Sequence, residues 1–257
     1  MPNRSRFFPF LLLLLLGSLP LSCDDQPTGA ENDIPYNHTT EPGAAANDLI
    51  TDESFTRLVV EIDYMEGYEP QSDAIQSLES FLETWLNKSD ITIRAPSEIP
   101  GGGQESYSET EVRELEQEHR DSFSDRETGT LNLYTLILDG EYSQANVLGI
   151  AYYNTSMALF GASIAETSGG IGGPSRTHVE STVWQHETGH LMGLVNAGTE
   201  MQQEHEEEPP NGAHCTNEEC LMYYAFRNAD LFRTVFGEEV PDLDAFCQED
   251  LAAVKQG

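Results

Sequence analysis

The sequence predicts an α+β domain with a mixed, twisted N-terminal sheet, a long central helix and a small irregular C-terminal part. Three observations carry this prediction. Alternating, β-branched segments fill the first part of the chain, a capped helical segment covers about 178–192, and a polar stretch with little periodicity follows it. The sheet comes first, the long helix second and the irregular part third. This order predicts a cleft between the two halves of the domain.

The N-terminus has the composition of an export signal. Arg4 and Arg6 precede the apolar run 7–16, which is too short to span a membrane, and small residues follow up to Cys23. We predict residues 1–22 as a signal peptide. Ser22-Cys23 also resembles a bacterial lipoprotein box, which implies lipidation of Cys23 and a location in the cell envelope. Plain secretion with a free Cys23 thiol is the alternative.

The remaining chain divides by composition into a tether and a domain. Residues 23–50 are polar and contain Pro and Gly, so they are predicted to form a flexible tether. The predicted domain covers 51–257, as an N-terminal subdomain 51–193 and a C-terminal subdomain 194–257 with a terminal helix. A single core of this size is within the normal range.

Charge excludes two classes of partner. The chain has 12 Lys and Arg against 45 Asp and Glu, a formal net charge of −33. Such a chain repels nucleic acid and anionic membrane surfaces, so we expect no nucleic acid partner and membrane contact only through the lipid anchor. Adaptation to high salt and the ordinary acidity of an exported protein account for the charge equally well.

The elements before the central helix follow from their periodicity. Alternating or β-branched segments predict strands, and apolar residues at helical spacing predict helices. The predicted strands are 57–64, 91–94, 130–138, 146–153 and 156–165. The predicted helices are 72–87 and 110–120, with a loop at 97–104.

The central helix carries the chemistry. Thr177 and Glu180 form a capping-box pattern at its start, and Gly193 can end it in a left-handed turn. His186, Glu187 and His190 spell H-E-x-x-H, which places two imidazoles on one helix face and a carboxylate beside the first of them. This pattern predicts a catalytic Zn²⁺ bound by His186 and His190, with Glu187 as general base toward an activated water.

The third zinc ligand is the open question, because a catalytic zinc needs three protein ligands. The longer pattern H-E-x-x-H-x-x-G-x-x-H keeps its glycine at Gly193 but has Asn196 in place of the last histidine. His205 and His214 are the two histidines further downstream. Asn is a poor zinc ligand, and we expect it to serve instead in a left-handed backbone position.

The segment that begins at His214 resembles a known family. His214-Cys215, four residues, Cys220, one residue and Met222 resemble the signature of archaemetzincins within the metzincin metallopeptidases. On this resemblance His214 is the third ligand and 194–211 is an insertion; His205 is the alternative third ligand. The resemblance implies a metzincin-like fold and a zinc endopeptidase, a hydrolase that takes peptide or protein substrates.

The resemblance also implies roles for the residues around the zinc. Met222 would form a Met-turn beneath the metal, Tyr224 would contact the oxyanion, and the strand 156–165 would be the edge along which an extended substrate binds. The family uses its cysteines for a second zinc, but here Asp250 follows Cys247 where the family has cysteine. In an exported chain we therefore predict a disulfide between Cys215 and Cys220.

Three other interpretations stay open. A glutamate could be the third ligand, as in gluzincin metallopeptidases, although a Met-turn argues against this. The chain could be a non-catalytic envelope lipoprotein with a degenerate zinc site. It could also hold a structural zinc with all four positions filled, for example by both His205 and His214.

Overall fold

The computed structural model describes residues 36–169, 172–235, 237 and 239–256. The predicted signal peptide 1–22 and the predicted lipidation residue Cys23 lie outside these residues. Within the described part of the chain, no helix has both the length and the apolarity needed to cross a membrane.

Helices and strands alternate through the first two thirds of the chain. The described residues form these helices: α1 Ala46–Ile50, α2 Ser72–Trp85, α3 Glu109–His119, α4 Gly161–Thr167, α5 Arg176–Leu191, α6 Ala229–Val235 and α7 Ala245–Val254, with a 3-10 helix at Tyr224–Arg227. The strands are β1 Arg57–Met65, β2 Asp90–Ile93, β3 Ser97–Ile99, β4 Ser106–Tyr107, β5 Thr130–Leu138, β6 Glu141–Tyr142, β7 Gly149–Tyr153 and β8 Ser156–Phe160.

The main sheet is mixed, as predicted, but mostly parallel. Its strand order is β2-β1-β5-β8-β7, and β3 also pairs with β1. Only β7 runs antiparallel to its neighbour. Helix α2 joins the parallel strands β1 and β2, because parallel neighbours need a crossover connection. The N-terminal half is therefore closer to an α/β arrangement than the predicted α+β class.

Both faces of the sheet are buried. Alternate side chains of β1 and β5, such as Val60 and Leu133, face a core shared with α2, α5 and the C-terminal part. The opposite face buries residues such as Tyr134 and Leu136 against Val112 of α3. Strand β5 is accordingly buried at all nine positions, including its polar residues Thr130, Asn132 and Thr135.

The tether prediction is wrong for residues 36–50. Helix α1 buries Leu49 and Ile50 in the main core. The Lys88 ammonium donates to the carbonyls of Asp48 and Phe55, at 2.7 and 2.6 Å, and to that of Thr51. The polar composition of 23–50 hid this because the short apolar turn of α1 is too brief to give a periodic pattern.

Two other boundaries differ from the predictions. The segment 156–165 is not an edge strand: β8 pairs on both sides, with β5 and β7, and helix α4 begins at Gly161. Strand β7 is the edge on this side of the sheet, and β2 and β3 lie at the opposite edge. The predicted loop 97–104 begins with the short strand β3, which extends the pairing along β1.

The start of the central helix also differs. Ser175, not Thr177, caps α5, and its hydroxyl accepts from the His178 amide at 3.1 Å. Glu180 instead accepts from the Gln71 amide at 2.8 Å and pairs with Arg176 at 2.6 Å, which ties α5 to the start of α2. Ser175 and Thr177 are two residues apart and compete for one cap, and the tertiary contact of Glu180 decides between them.

Candidate metal centre

Helix α5 presents His186, Glu187 and His190 beneath the edge strand β7. Gly189 lies between them, and a Cβ at this position would come within 2.2 Å of the Met222 sulfur. Only glycine therefore lets Met222, which is fully buried, pack directly against this turn of the helix. Met222 therefore lies directly against the turn of α5 that carries Glu187 and His190.

The helix ends as Gly193 was predicted to end it. Gly193 has φ +70°, and Val195 and Asn196 follow with φ of +55° and +61°. Asn196 thus occupies the left-handed conformation expected of it, and its amide donates to Glu206 at 3.4 Å. The chain then leaves the helix and forms the loop 197–213 instead of returning at once with a ligand.

The loop closes on itself and delivers His214. Glu206 and Cys215 form an antiparallel bridge, the Glu207 amide donates to the His214 carbonyl at 2.8 Å, and Glu206 accepts from the Ala213 amide at 2.8 Å. These bonds form a short hairpin whose outgoing arm carries His214. Backbone pairing within the loop therefore brings His214 back toward the end of α5 that carries His190.

His186, His190 and His214, here called the histidine triad, converge on one point. Their ligand nitrogens all lie within 4.8 Å of one another, and their ring centroids are 4.9 to 5.3 Å apart. The Nε2 atoms of all three are buried without a hydrogen-bond partner among the described residues. Buried polar atoms are normally paired, so three such nitrogens around one point fit a metal ion.

The other ring nitrogens fix how two of the imidazoles point. His186 Nδ1 lies 2.7 Å from the Leu221 carbonyl, and His214 Nδ1 lies 3.0 and 3.1 Å from the carbonyls of Gly212 and Asn211. A carbonyl accepts only from a protonated nitrogen, so Nδ1 carries the proton and Nε2 has its lone pair free. This orientation by backbone carbonyls is typical of metal-ligating histidines.

Burial keeps the triad neutral. Desolvation, followed by repulsion from the neighbouring imidazoles and Arg227, holds the pKa values of His186 and His190 well below the usual range. Desolvation, followed by the nearby Arg227, lowers the pKa of His214 to about 4. Neutral imidazole is the form that binds a metal. The three imidazoles are therefore already in the protonation state that binds a cation.

Glu187 has one occupied and one open carboxylate oxygen. Its Oε2 accepts from the Ala151 amide of β7 at 2.7 Å, and its Oε1 is buried without a partner among the described residues. Burial raises the pKa of Glu187 to about 7, although Arg227 and the Ala151 amide act against this. A carboxylate with such a pKa can take up and return a proton near neutral pH.

A cleft of about 470 Å³ opens over this site. Glu187, His190 and His214 line it together with Ala151 of β7 and Arg227. Tyr224 lies beside it, in a smaller cavity of about 160 Å³ that it shares with His214 and Arg227. Sequence reasoning missed Arg227: it belongs to no motif, and only its position five residues after Met222 could have drawn attention to it.

His205 lies away from the triad, in a second group. Its Nε2 is 2.9 Å from Asp250 and its Nδ1 is 3.4 Å from the Cys215 sulfur. His205, Cys215, Asp244 and Cys247 offer ligand atoms within 4.8 Å of one another, and the Cys220 sulfur lies 3.6 Å from that of Cys247. We call His205, Cys215, Cys220 and Cys247 the cysteine cluster.

The predicted disulfide is absent. Cys215, Cys220 and Cys247 are all free and buried. The Cys220 and Cys247 sulfurs are 3.6 Å apart, and hydrogen bonds from both thiols lower the pKa of Cys215, which favours its thiolate. The spacing of Cys215 and Cys220 predicted a pair because it could not show that Cys247 of α7 and His205 of the loop 197–213 lie close to them.

Comparison with known proteins gives distant structural likenesses. The chain is similar to the crystal structure of archaemetzincin from Methanopyrus kandleri, with a TM-score of 0.48, 14% identity and coverage of 79% of this chain and 96% of that one. It is also similar to metalloproteinase-II from Bacteroides fragilis, with a TM-score of 0.41, 14% identity and coverage of 90% of this chain and 59% of that one. No protein-family model and no curated protein sequence matches. The functional assignment of this chain therefore depends on its own residues.

Proposed function

We propose that the chain is a zinc-dependent endopeptidase of metzincin type. The observation that carries the proposal is the set of three unpartnered, buried Nε2 atoms of the histidine triad beside the unpartnered Oε1 of Glu187. Three nitrogen ligands, one open side and an adjacent carboxylate are what hydrolytic zinc sites contain. The sequence resemblance to archaemetzincins supports the same assignment.

The residues of the chain divide the work. His186, His190 and His214 would hold the zinc, which lowers the pKa of water and polarises a carbonyl when bound. Glu187 would accept the water proton on Oε1 and return it to the leaving amine, while the Ala151 amide keeps its other oxygen fixed. Because Ala151 belongs to the edge strand β7, the base is positioned by the strand beside which an extended peptide would lie.

Two further residues complete the proposed site. Met222 forms an apolar floor against Gly189, which keeps the turn of α5 that carries the ligands in place. Tyr224 lines the smaller cavity together with His214 and Arg227, and its hydroxyl would contact the oxyanion. We assign Tyr224 this supporting role on the strength of the resemblance.

We also propose that the cysteine cluster holds a second, structural metal. Thiolate and imidazole donors in a closed, buried group are typical of structural zinc sites. Asp250 accepts from His205 at 2.9 Å and would fix that imidazole from behind, as carboxylates do for metal-bound histidines. His205 thereby replaces the cysteine that the family has in this cluster.

Export and lipid anchoring at Cys23 remain part of the proposal. The cysteine directly after the predicted signal cleavage point supports it, as does the acidic composition, which disfavours direct binding to anionic lipid. Mass spectrometry of the mature N-terminus, with Cys23→Ala as control, tests it: a diacylglyceryl-modified Cys23 is expected, and an unmodified cleaved chain would mean plain secretion.

One experiment tests the catalytic proposal. Full chain, Glu187→Gln and the exposed control Glu118→Gln are assayed on an internally quenched peptide library and analysed for zinc. Wild type and Glu118→Gln should cleave, and Glu187→Gln should lose about 10³-fold in rate while keeping its zinc. Equal activity of Glu187→Gln, or a wild type without zinc, would contradict the proposal.

A further inference from the structure

Arg227 is held at one end of the edge strand. The Leu148 amide donates to the Arg227 carbonyl at 2.9 Å, the Ala229 amide donates to Asn146 at 2.8 Å, and Val147 bridges to Asn228. These bonds attach the segment after the 3-10 helix to the residues just before β7. Arg227 therefore lies beyond the N-terminal end of β7, and its side chain lines the cleft.

Arg227 differs from the other arginines of the described chain. Six of them pair with a carboxylate, and Arg233 donates to two carbonyls; the six are Arg57, Arg94, Arg113, Arg120, Arg126 and Arg176. Arg227 has no described carboxylate within 4.0 Å and no described side-chain hydrogen bond. In a chain with 45 acidic residues, a half-buried arginine without an anion is placed where an anion from outside can bind.

The carboxylates of the cleft itself are engaged elsewhere or exposed. Glu109 pairs with Arg113, Glu187 accepts from Ala151, and Glu41 is exposed at the rim. Among the described residues, none of these three carboxylates pairs with Arg227, although all of them line the same cleft.

The direction of the substrate follows from the edge strand. A peptide that pairs antiparallel with β7 runs opposite to it, so the residues on its C-terminal side lie toward the N-terminal end of β7. On the proposed function the scissile bond would lie near Glu187, which accepts from Ala151, and Arg227 would then lie on the C-terminal side of that bond.

We propose that Arg227 is a specificity residue that binds a carboxylate of the substrate on the C-terminal side of the cleaved bond. This inference rests on the proposed peptidase function. The fork of the guanidinium matches a carboxylate with two parallel hydrogen bonds. The carboxylate can come from an acidic side chain or from the end of the peptide, and both present the same group to Arg227.

Binding to an inactive protein tests this without turnover. The zinc-loaded full chain with Glu187→Gln is titrated with fluorescent alanine-rich peptides, acetylated and amidated, in which one Glu or one Gln is moved along the sequence. A third series carries Gln and a free C-terminal carboxylate. The best Glu or free-carboxylate peptide should bind about 10-fold tighter than its neutral match, a difference of about 1.4 kcal/mol.

Matched variants identify the residue responsible. When Arg227→Gln is added to the Glu187→Gln protein, the affinities for the acidic peptide and its neutral match should differ by less than about twofold. Arg227→Lys should keep part of the preference for the acidic peptide. Arg57→Gln, which removes a charge at the exposed Arg57–Asp90 pair on β1, should leave the preference intact. Preserved zinc content and circular dichroism show that each variant is folded. The amidated Glu series identifies a side-chain carboxylate, and the free-carboxylate series identifies the chain end.

The opposite results are distinct. If Arg227→Gln leaves the preference for acidic peptides unchanged, or lowers the affinities for acidic and neutral peptides equally, the specificity proposal is wrong. If wild type cleaves no peptide but the Arg227-dependent difference in binding is present, the peptidase function fails and the carboxylate site stands. Loss of cleavage on all substrates in Arg227→Gln, without a difference in binding, would assign the residue to the oxyanion instead.

Discussion

The histidine triad and the cysteine cluster are two potential metal sites built from neighbouring parts of the same chain. The triad has nitrogen donors only, lines a cleft of about 470 Å³ and has a carboxylate beside it. The cysteine cluster is rich in sulfur, and its four members are 0 to 2% exposed and line none of the described cavities. An open nitrogen site suits catalysis, whereas a closed thiolate site suits structure.

Residues of one hairpin, around the bridge between Glu206 and Cys215, contribute to both sites. The bridge between Glu206 and Cys215 places His205 in the cysteine cluster and His214, one residue before Cys215, in the triad. Adjacent residues of an extended segment point in opposite directions, so His214 and Cys215 necessarily face different sites. A metal in the cysteine cluster would therefore also hold His214 in position.

The strongest test of the comparison between the two sites is to remove His214 in one variant and His205 in another. We expect His214→Ala to lower peptide cleavage by about 10³-fold, because the proposed zinc would lose one of three ligands. His205→Ala should keep most of its activity at low temperature and lose thermal stability. Cleavage rates and zinc content of both variants are the measurement. Lost activity in His205→Ala with intact folding would mean that His205 is the catalytic ligand.

Metal removal should separate the two sites by stability. If the cysteine cluster holds zinc, free zinc at about 1,000 times the dissociation constant stabilises the chain by about 4 kcal/mol. We expect Cys247→Ser to lower the free energy of unfolding of the zinc-loaded protein by several kcal/mol and that of the chelated protein much less. His190→Ala provides the matched change in the triad. Equal losses with and without zinc would limit Cys247 to core packing.

Acid should destabilise the metal-free chain through the triad. A histidine whose pKa is lowered by folding gives stability that is complete above its unfolded pKa of about 6.5 and is lost as pH falls through its folded pKa. For His214, with a folded pKa of about 4, this loss is about 3 kcal/mol between these pH values.

Glu187 acts in the opposite direction, because its pKa of about 7 makes its stability contribution fall as pH rises through that value. Urea unfolding of the chelated protein at pH 7.5 and pH 4.5 should therefore show a smaller loss on acidification in His214→Gln than in wild type. The loss should be larger in Glu187→Gln. An identical pH dependence in all three proteins would show that the triad is not buried in its neutral form.

The smallest expected effect is at the contact beneath the triad. Gly189→Ala forces the Met222 sulfur to move and should cost about 1 to 3 kcal/mol of stability, the usual cost of overpacking. Met222→Leu conserves volume and should cost less than about 1.5 kcal/mol. Thermal unfolding of both variants, with activity measured on the folded fraction, is the check. A Gly189→Ala variant as stable as wild type would mean that Met222 is loosely packed.

Local patterns predicted much of the fold. Strand β5 has the predicted bounds, and α2, α3 and α5 begin within about two residues of the predicted positions, the usual uncertainty of such boundaries. Helix α1 and strand β3 escaped prediction because five or fewer residues carry too little periodicity. The position of β8 inside the sheet escaped for another reason: strand order is a property of pairing between distant segments.

The sequence alone determined the H-E-x-x-H spacing, Gly193 and the extreme negative charge. The spacing places His186 and His190 on one helix face because a helix repeats every 3.6 residues, and the net charge follows because charge is additive. Which histidine joins His186 and His190 was decided by the tertiary structure. The tertiary structure also decided that Cys215 and Cys220 are free thiols and that β7 is the edge strand above Glu187. It decided as well that Arg227 has no carboxylate partner among the described residues. Each of these depends on backbone pairing or packing between residues far apart in the chain, and a linear spacing contains no information about those contacts.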